Sequence, residues 1–221
     1  MLKTTVPEAP SLRERKKLQT AQRLWRTAIG LFVERGFDQV SVAEIAAAAD
    51  VSKMTVFNYF PSKEDLVMRP LEEQADGPAG AVRRRAGGQS ALDAIRAHFL
   101  AGLEEHDPAT GLSDDAAVVQ VVRLIFATPA LGVRALALSA RADELLAEEL
   151  ANQQPGGERL IAQVAAAQLL GVRRALVQAN QQRMLAGESA AAALPGARAN
   201  AVRAFAFAER GLGGYGARPA T

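Results

Sequence analysis

The 221-residue chain is 49% hydrophobic and 5% aromatic, has no cysteine, and carries a formal net charge of +2. Disulfide frameworks, thiolate nucleophiles and cysteine-ligated zinc sites are therefore excluded, while the length fits one or two domains with a sizeable core. An Ala- and Leu-rich, aromatic-poor composition favours helix bundles over sheets, so an all-α fold is expected. The N-terminus lacks the uninterrupted apolar run of a signal peptide. Residues 116–127, the most apolar stretch, include Gln120 and Arg123 and are too short to span a bilayer. The expectation is a soluble, cytoplasmic protein with no membrane segment. Charge is uneven: residues 1–69 hold 11 Lys or Arg against 8 Asp or Glu, and all five lysines lie at or before Lys63.

Residues 1–11, with Pro7 and Pro10 and no apolar period, read as a flexible arm. A first helix is predicted over 12–35, with Leu24, Trp25, Ala28, Leu31 and Phe32 as its buried stripe. Arg13, Arg15, Lys16, Lys17, Arg23 and Arg26 on this helix form a cation cluster suited to phosphates. Gly36 is placed to end it in a left-handed cap.

Ser41 and Glu44 have capping-box spacing and open a second helix with Val42, Ile45, Ala46 and Ala49 on one face. Asp50 and Val51 form a turn, and Ser52 caps a third helix over 53–59. That helix is too short to stand alone. Packing through Val51, Val56 and Phe60 must hold it, leaving Lys53, Thr55, Asn58 and Tyr59 outward. A short helix propped from behind fits a DNA major groove. There Lys53 suits guanine O6/N7, Thr55 a thymine methyl or a hydroxyl contact, and Asn58 either adenine or a phosphate. Ser41 either caps its helix or also holds a phosphate there.

A fourth helix is predicted over 63–74, with Pro70 kinking it or ending it early. Residues 76–88 read as a glycine-rich loop. Ser90 caps a helix to about residue 106, and 108–113 link it to a segment over 114–127. The β-branched run Val118, Val119, Val121 and Val122 admits a buried strand, but no second strand candidate exists to pair with it, so helix is preferred. Thr128-Pro129 opens a helix to about residue 153, which Pro155-Gly156-Gly157 breaks. The last two helices, over 158–186 and 196–212, are apolar on two sides. Either both are central in a monomeric bundle or one side of each meets a partner subunit.

The stretch AIGLFVERGFDQVSV, the pair Ile45-Ala46 and VSKMTVFNYFPSKEDL resemble the DNA-binding domain of the TetR family of bacterial transcriptional regulators. The resemblance runs from about residue 24 to 67. It implies an N-terminal three-helix helix-turn-helix domain (12–62) and a C-terminal helical bundle for ligand binding and dimerisation (63–221). It places Ser41, Ser52, Lys53, Thr55, Phe57, Asn58, Tyr59 and Lys63 at a double-stranded DNA operator, with Lys63 as a phosphate clamp. Phe57 stands where the family commonly has Tyr, and Met54 where a small residue is common. The resemblance further implies a homodimer through 158–186 and 196–212, and a repressor released from a palindromic operator by a small-molecule effector.

Candidate pocket walls are His98, Phe99, Gln120, Arg123, Leu124 and Phe126. Arg123 either meets an anionic ligand group, pairs with an internal carboxylate, or lies at the surface. No cofactor or metal site is expected. An enzyme is the competing class, yet only His98 and His106 are present, without HExxH or GxSxG. The string Gly211 to Gly216 matches GxGxxG but has no preceding strand or following helix. A DNA binder of purely architectural role, independent of any ligand, also fits these residues, as does an activator in place of a repressor.

Overall fold

The computed structural model describes residues 11–72, 75–153 and 158–211. The expected arm (except Ser11), the Pro155-Gly156-Gly157 break and most of the GxGxxG string lie outside these residues. Among the described residues there are ten α-helices, one short 3-10 helix and no strand. The chain forms two compact units, Met1–Val67 and Met68–Thr221.

In the first unit, α1 (Leu12–Arg35) ends at Gly36, whose φ of +88° is the left-handed conformation that glycine adopts without steric cost. α2 (Val42–Ala48) begins with a complete capping box. The Ser41 Oγ accepts the Glu44 N–H at 3.2 Å, and the Glu44 carboxylate accepts the Ser41 N–H at 2.8 Å. Asp50, at φ +53°, turns the chain into α3 (Lys53–Tyr59). Leu24, Ala28, Phe32, Phe37, Val40, Ile45, Val56 and Phe60 are buried. The rings of Phe32 and Phe37 pack 4.9 Å apart. α4 (Asp65–Glu72) opens on a reciprocal Ser62–Asp65 pair and carries Pro70 inside it. The unit boundary falls within it, after Val67. The expected continuation to residue 74 lies outside the described residues.

In the second unit, the glycine-rich stretch over 76–88 corrects the expectation of a loop. Residues Gly77–Arg83 form α5, with Pro78 at its start, where a missing N–H costs nothing. Two of its glycines serve packing. A Cβ on Gly77 would lie 3.3 Å from His98 Nε2, and one on Gly80 only 2.9 Å from Arg84 Nη1. α6 (Ala91–Glu104) is capped by Ser90, and a 3-10 turn follows at Pro108–Thr110. α7 (Ala116–Ala127) is helical despite its valines, because Asp115 caps it through the Ala117 and Val118 amides.

α8 (Pro129–Asn152), α9 (Arg159–Leu185) and α10 (Ala190–Arg210) complete the unit. α10 starts six residues before the expected Gly196. Ser189 caps it, the run of four alanines has the highest helix propensity, and Asp114 accepts the orphan Ala190 N–H at 2.9 Å. Pro195 is therefore carried inside the helix. The core gathers Ile95, Phe99 and Leu103 of α6, Leu146 of α8, Leu170 and Leu176 of α9, and Phe205 of α10. Phe99 and Phe205 meet edge to face at 6.1 Å.

α9 is long and apolar enough, by length and composition, to cross a membrane, a feature that residues 116–127 do not have. Here it is the central helix of the bundle. Its buried Asn180 donates to the Thr110 carbonyl at 2.9 Å, and Arg173 to the Ala109 carbonyl at 2.7 Å.

Candidate nucleic-acid interface

α3 is two turns long, so its position depends on its ends and its buried side. Ser52 Oγ accepts the Thr55 N–H at 3.0 Å and lies 2.8 Å from the Thr55 hydroxyl. Val56 and Phe60 anchor the inner face. The outer face holds Lys53, Met54, Phe57 and Asn58, all exposed. Residues 53 and 57, and 54 and 58, are i,i+4 neighbours, so the four form one contiguous patch. The Lys53 ammonium lies 5.8 Å from the Phe57 ring centroid. Thr55 and Tyr59 flank the patch, half-buried.

Met54 is 68% exposed, the most exposed large apolar residue of this unit among the described residues. Sequence reasoning marks it for its size but leaves it out of the candidate DNA contacts. Its i,i+4 relation to Asn58 is the signal that includes it.

The other candidates are engaged within the chain. Ser41 is bound into its capping box, whose backbone and hydroxyl hydrogen bonds hold the Glu44 carboxyl below its usual pKa. Arg35 adds an ion pair to that carboxylate at 3.0 Å. The Lys63 ammonium donates to the Phe37 carbonyl at 2.8 Å and sits 4.3 Å above the Phe37 ring.

The six candidate pocket walls are not brought together. Phe99 is buried in the core against Phe205, and Leu124 is buried in α7. Gln120 is half-buried. Arg123 and Phe126 face solvent, and Arg123 reaches the Leu185 carbonyl at the end of α9 at 3.4 Å. A cation there complements the helix dipole.

Of the six, His98 lines a cleft. That cleft, of about 250 Å³, is bordered by Asp76, Gly77, Arg84, Asp107 and Arg173. Partial burial, reinforced by the Arg173 charge, pushes the His98 imidazole below its ordinary pKa. Burial likewise pushes the Arg173 guanidinium down, against the opposing pull of Asp107. Arg84 and Arg173 carry no local sequence signal for such a site. They meet only because α5 and α9 fold against α6.

Residues 24–69 match the family model of bacterial regulatory proteins of the tetR family. The HTH-type transcriptional regulator TcmR of Streptomyces glaucescens is 30% identical over 151 residues, covering 68% of this chain and 67% of that protein. The transcriptional regulator LuxR of Vibrio harveyi is 48% identical over 50 residues, which is 23% of this chain and only 24% of LuxR. Among solved structures, GusR of Salmonella enterica superposes with a TM-score of 0.53 at 21% identity, covering 86% of this chain and 93% of GusR. NalD, the secondary repressor of the MexAB-OprM multidrug efflux pump in Pseudomonas aeruginosa, gives 0.50 at 15% identity over 86% of this chain and 97% of NalD. Both structural likenesses concern the fold: a helix-turn-helix domain followed by a helical domain. With a matching DNA-binding domain and a relative aligned across two thirds of its length, this chain belongs to the TetR family of DNA-binding transcriptional regulators.

Proposed function

We propose that the protein is a non-enzymatic, cytoplasmic repressor that binds a palindromic operator as a homodimer and leaves it when a small molecule occupies its second unit. The observation that carries the DNA reading is the α3 patch of Lys53, Met54, Phe57 and Asn58, exposed on a helix pinned from behind. In a major groove, Lys53 would address guanine, Asn58 adenine or a phosphate, and the apolar pair thymine methyl groups. Thr55, Tyr59 and Ser52 would border the contact. Ser41 and Lys63 would reach backbone phosphates only with the groups their intrachain bonds leave free.

Dimerisation is supported by apolar surface on the last two helices. Leu160, Ile161 and Val164 on α9 are exposed, as are Val202 and Phe207 on α10. Apolar side chains on this scale beside a packed core suit a partner helix pair. Effector release rests on thermodynamic linkage. A ligand that favours the non-DNA form, typically by about 1–3 kcal/mol, weakens DNA binding reciprocally.

Selection of binding sites from random duplexes with the purified protein tests this reading. A palindrome with half-sites about one helical turn apart is expected. Recovery of a single asymmetric half-site would overturn the dimer, and recovery of no preferred sequence would overturn operator recognition.

A further inference from the structure

We propose that the cleft bordered by α5, α6 and α9 is the effector site, and that it takes a compact organic carboxylate gripped by Arg173 and Arg84. This rests on the reading above that an effector exists; it adds where that effector binds and what its chemistry is.

Arg173 is half-buried, and among the described residues its guanidinium makes one hydrogen bond, to the Ala109 carbonyl at 2.7 Å. Arg84 lies along α5 in the space that Gly80 leaves open. Among the described residues neither guanidinium forms an ion pair. A guanidinium offers five N–H donors, and in a partly buried one, donors left without an acceptor are costly. Of the two carboxylates at the cleft, Asp107 acts on Arg173 through space without an ion pair, and each has a nearer hydrogen-bonding partner. Asp107 Oδ1 accepts the Ala109 N–H at 2.9 Å, and Asp76 Oδ1 faces Arg83 at 3.5 Å.

The unused N–H donors of the two guanidinium groups are thus open to a ligand from outside. A carboxylate matches the planar fork of a guanidinium with two parallel hydrogen bonds. The volume of about 250 Å³ compares with about 10–15 Å³ for a single water. Gly77, Pro78 and Ala109 complete the lining with apolar surface. That wall suits a carbon skeleton and would be left uncovered by an inorganic ion.

His98 and His106 are the only two histidines, so their imidazole Hε1 protons give two NMR lines, one of them a built-in control. Benzoate and succinate are titrated into the full chain alongside their uncharged analogues benzamide and succinamide. At least one carboxylate is expected to move the His98 line saturably and raise its titration midpoint, because a nearby anion favours the imidazolium. Its amide should leave the line in place. Arg173→Met is expected to weaken that binding about tenfold or more. Arg84→Met, which removes no side-chain hydrogen bond among the described residues, should weaken it several-fold and guards against misfolding of the first variant.

No saturable shift with either carboxylate, or equal shifts in both variants and wild type, overturns the site. Operator affinity is read in the same samples. A carboxylate that fills the cleft without loosening DNA leaves the anion site standing and sinks its effector role. Benzamide loosening DNA equally from wild type and Arg173→Met would uphold an effector and refute this cleft as its site.

Discussion

The Lys63 ammonium donates to the Phe37 carbonyl at 2.8 Å and rests 4.3 Å above the ring of the same residue. One side chain thereby ties the start of α4 to the connection after α1. The Phe37 carbonyl takes one of three ammonium donors, so a structural role leaves hydrogen-bonding capacity for a phosphate. Replacing Lys63 by Ala should lower the stability of the first unit by about 1 kcal/mol, from one hydrogen bond and one cation–π contact. It should also reduce the salt slope of DNA binding by about 1. Chemical denaturation checks the first effect and binding at several ionic strengths the second. An unchanged slope would assign Lys63 to the fold alone.

Lys53 makes no hydrogen bond within the chain among the described residues. Lys53→Ala should therefore leave the melting curve in place while costing about 1–3 kcal/mol of discrimination between operator and scrambled duplex. Met54→Ala should do the same specifically at a thymine in the half-site, and replacing that thymine by uracil in the DNA should mimic it. Retained preference in Lys53→Ala would remove this residue from base readout.

Gly111 adopts φ +74°, and a Cβ built there would lie 2.4 Å from the Val177 carbonyl oxygen. The turn at 108–111 presses against α9 so closely that no side chain fits. Gly111→Ala should destabilise the second unit by at least about 2 kcal/mol, combining backbone strain with steric displacement. Denaturant unfolding measures it; a loss below about 0.5 kcal/mol would mean the turn relaxes freely.

His98 has its pKa depressed, first by burial and then by the Arg173 charge, with Arg84 acting in the same sense and Asp107 and Glu105 opposing. A depressed native pKa means that the unfolded chain takes up the proton more readily. The contribution of His98 to stability is thus fully present above its unfolded value of about 6.5 and is lost as pH falls through the native value. An NMR titration should place His98 below 6.5, and Arg173→Met should move it upward. A midpoint unaffected by that substitution would separate the two groups electrostatically.

Local features carried much of the sequence reading. The boundaries of α1, α2 and α3 follow from Gly36, from the Ser41–Glu44 box and from Ser52, each a signal within about four residues. The same rule placed Ser90 at the start of α6. It failed over 76–88, where glycines read as loop residues. There Gly77 and Gly80 make room for His98 and Arg84, which is a packing requirement and not a turn. It failed again at α10, expected from Gly196 although Ser189 and Asp114 begin the helix earlier.

By itself the sequence determined the family, the all-helical class and the short third helix with Lys53 and Asn58 on its outward face. Caps, turns and the period of apolar residues are properties of neighbouring positions. Only the tertiary structure decided that Phe99 belongs to the core beside Phe205, that Arg123 and Phe126 lie outside, and that Arg84, His98 and Arg173 share one cleft. Those groupings depend on how α5, α6 and α9 pack, and long-range packing leaves no periodic trace in the chain.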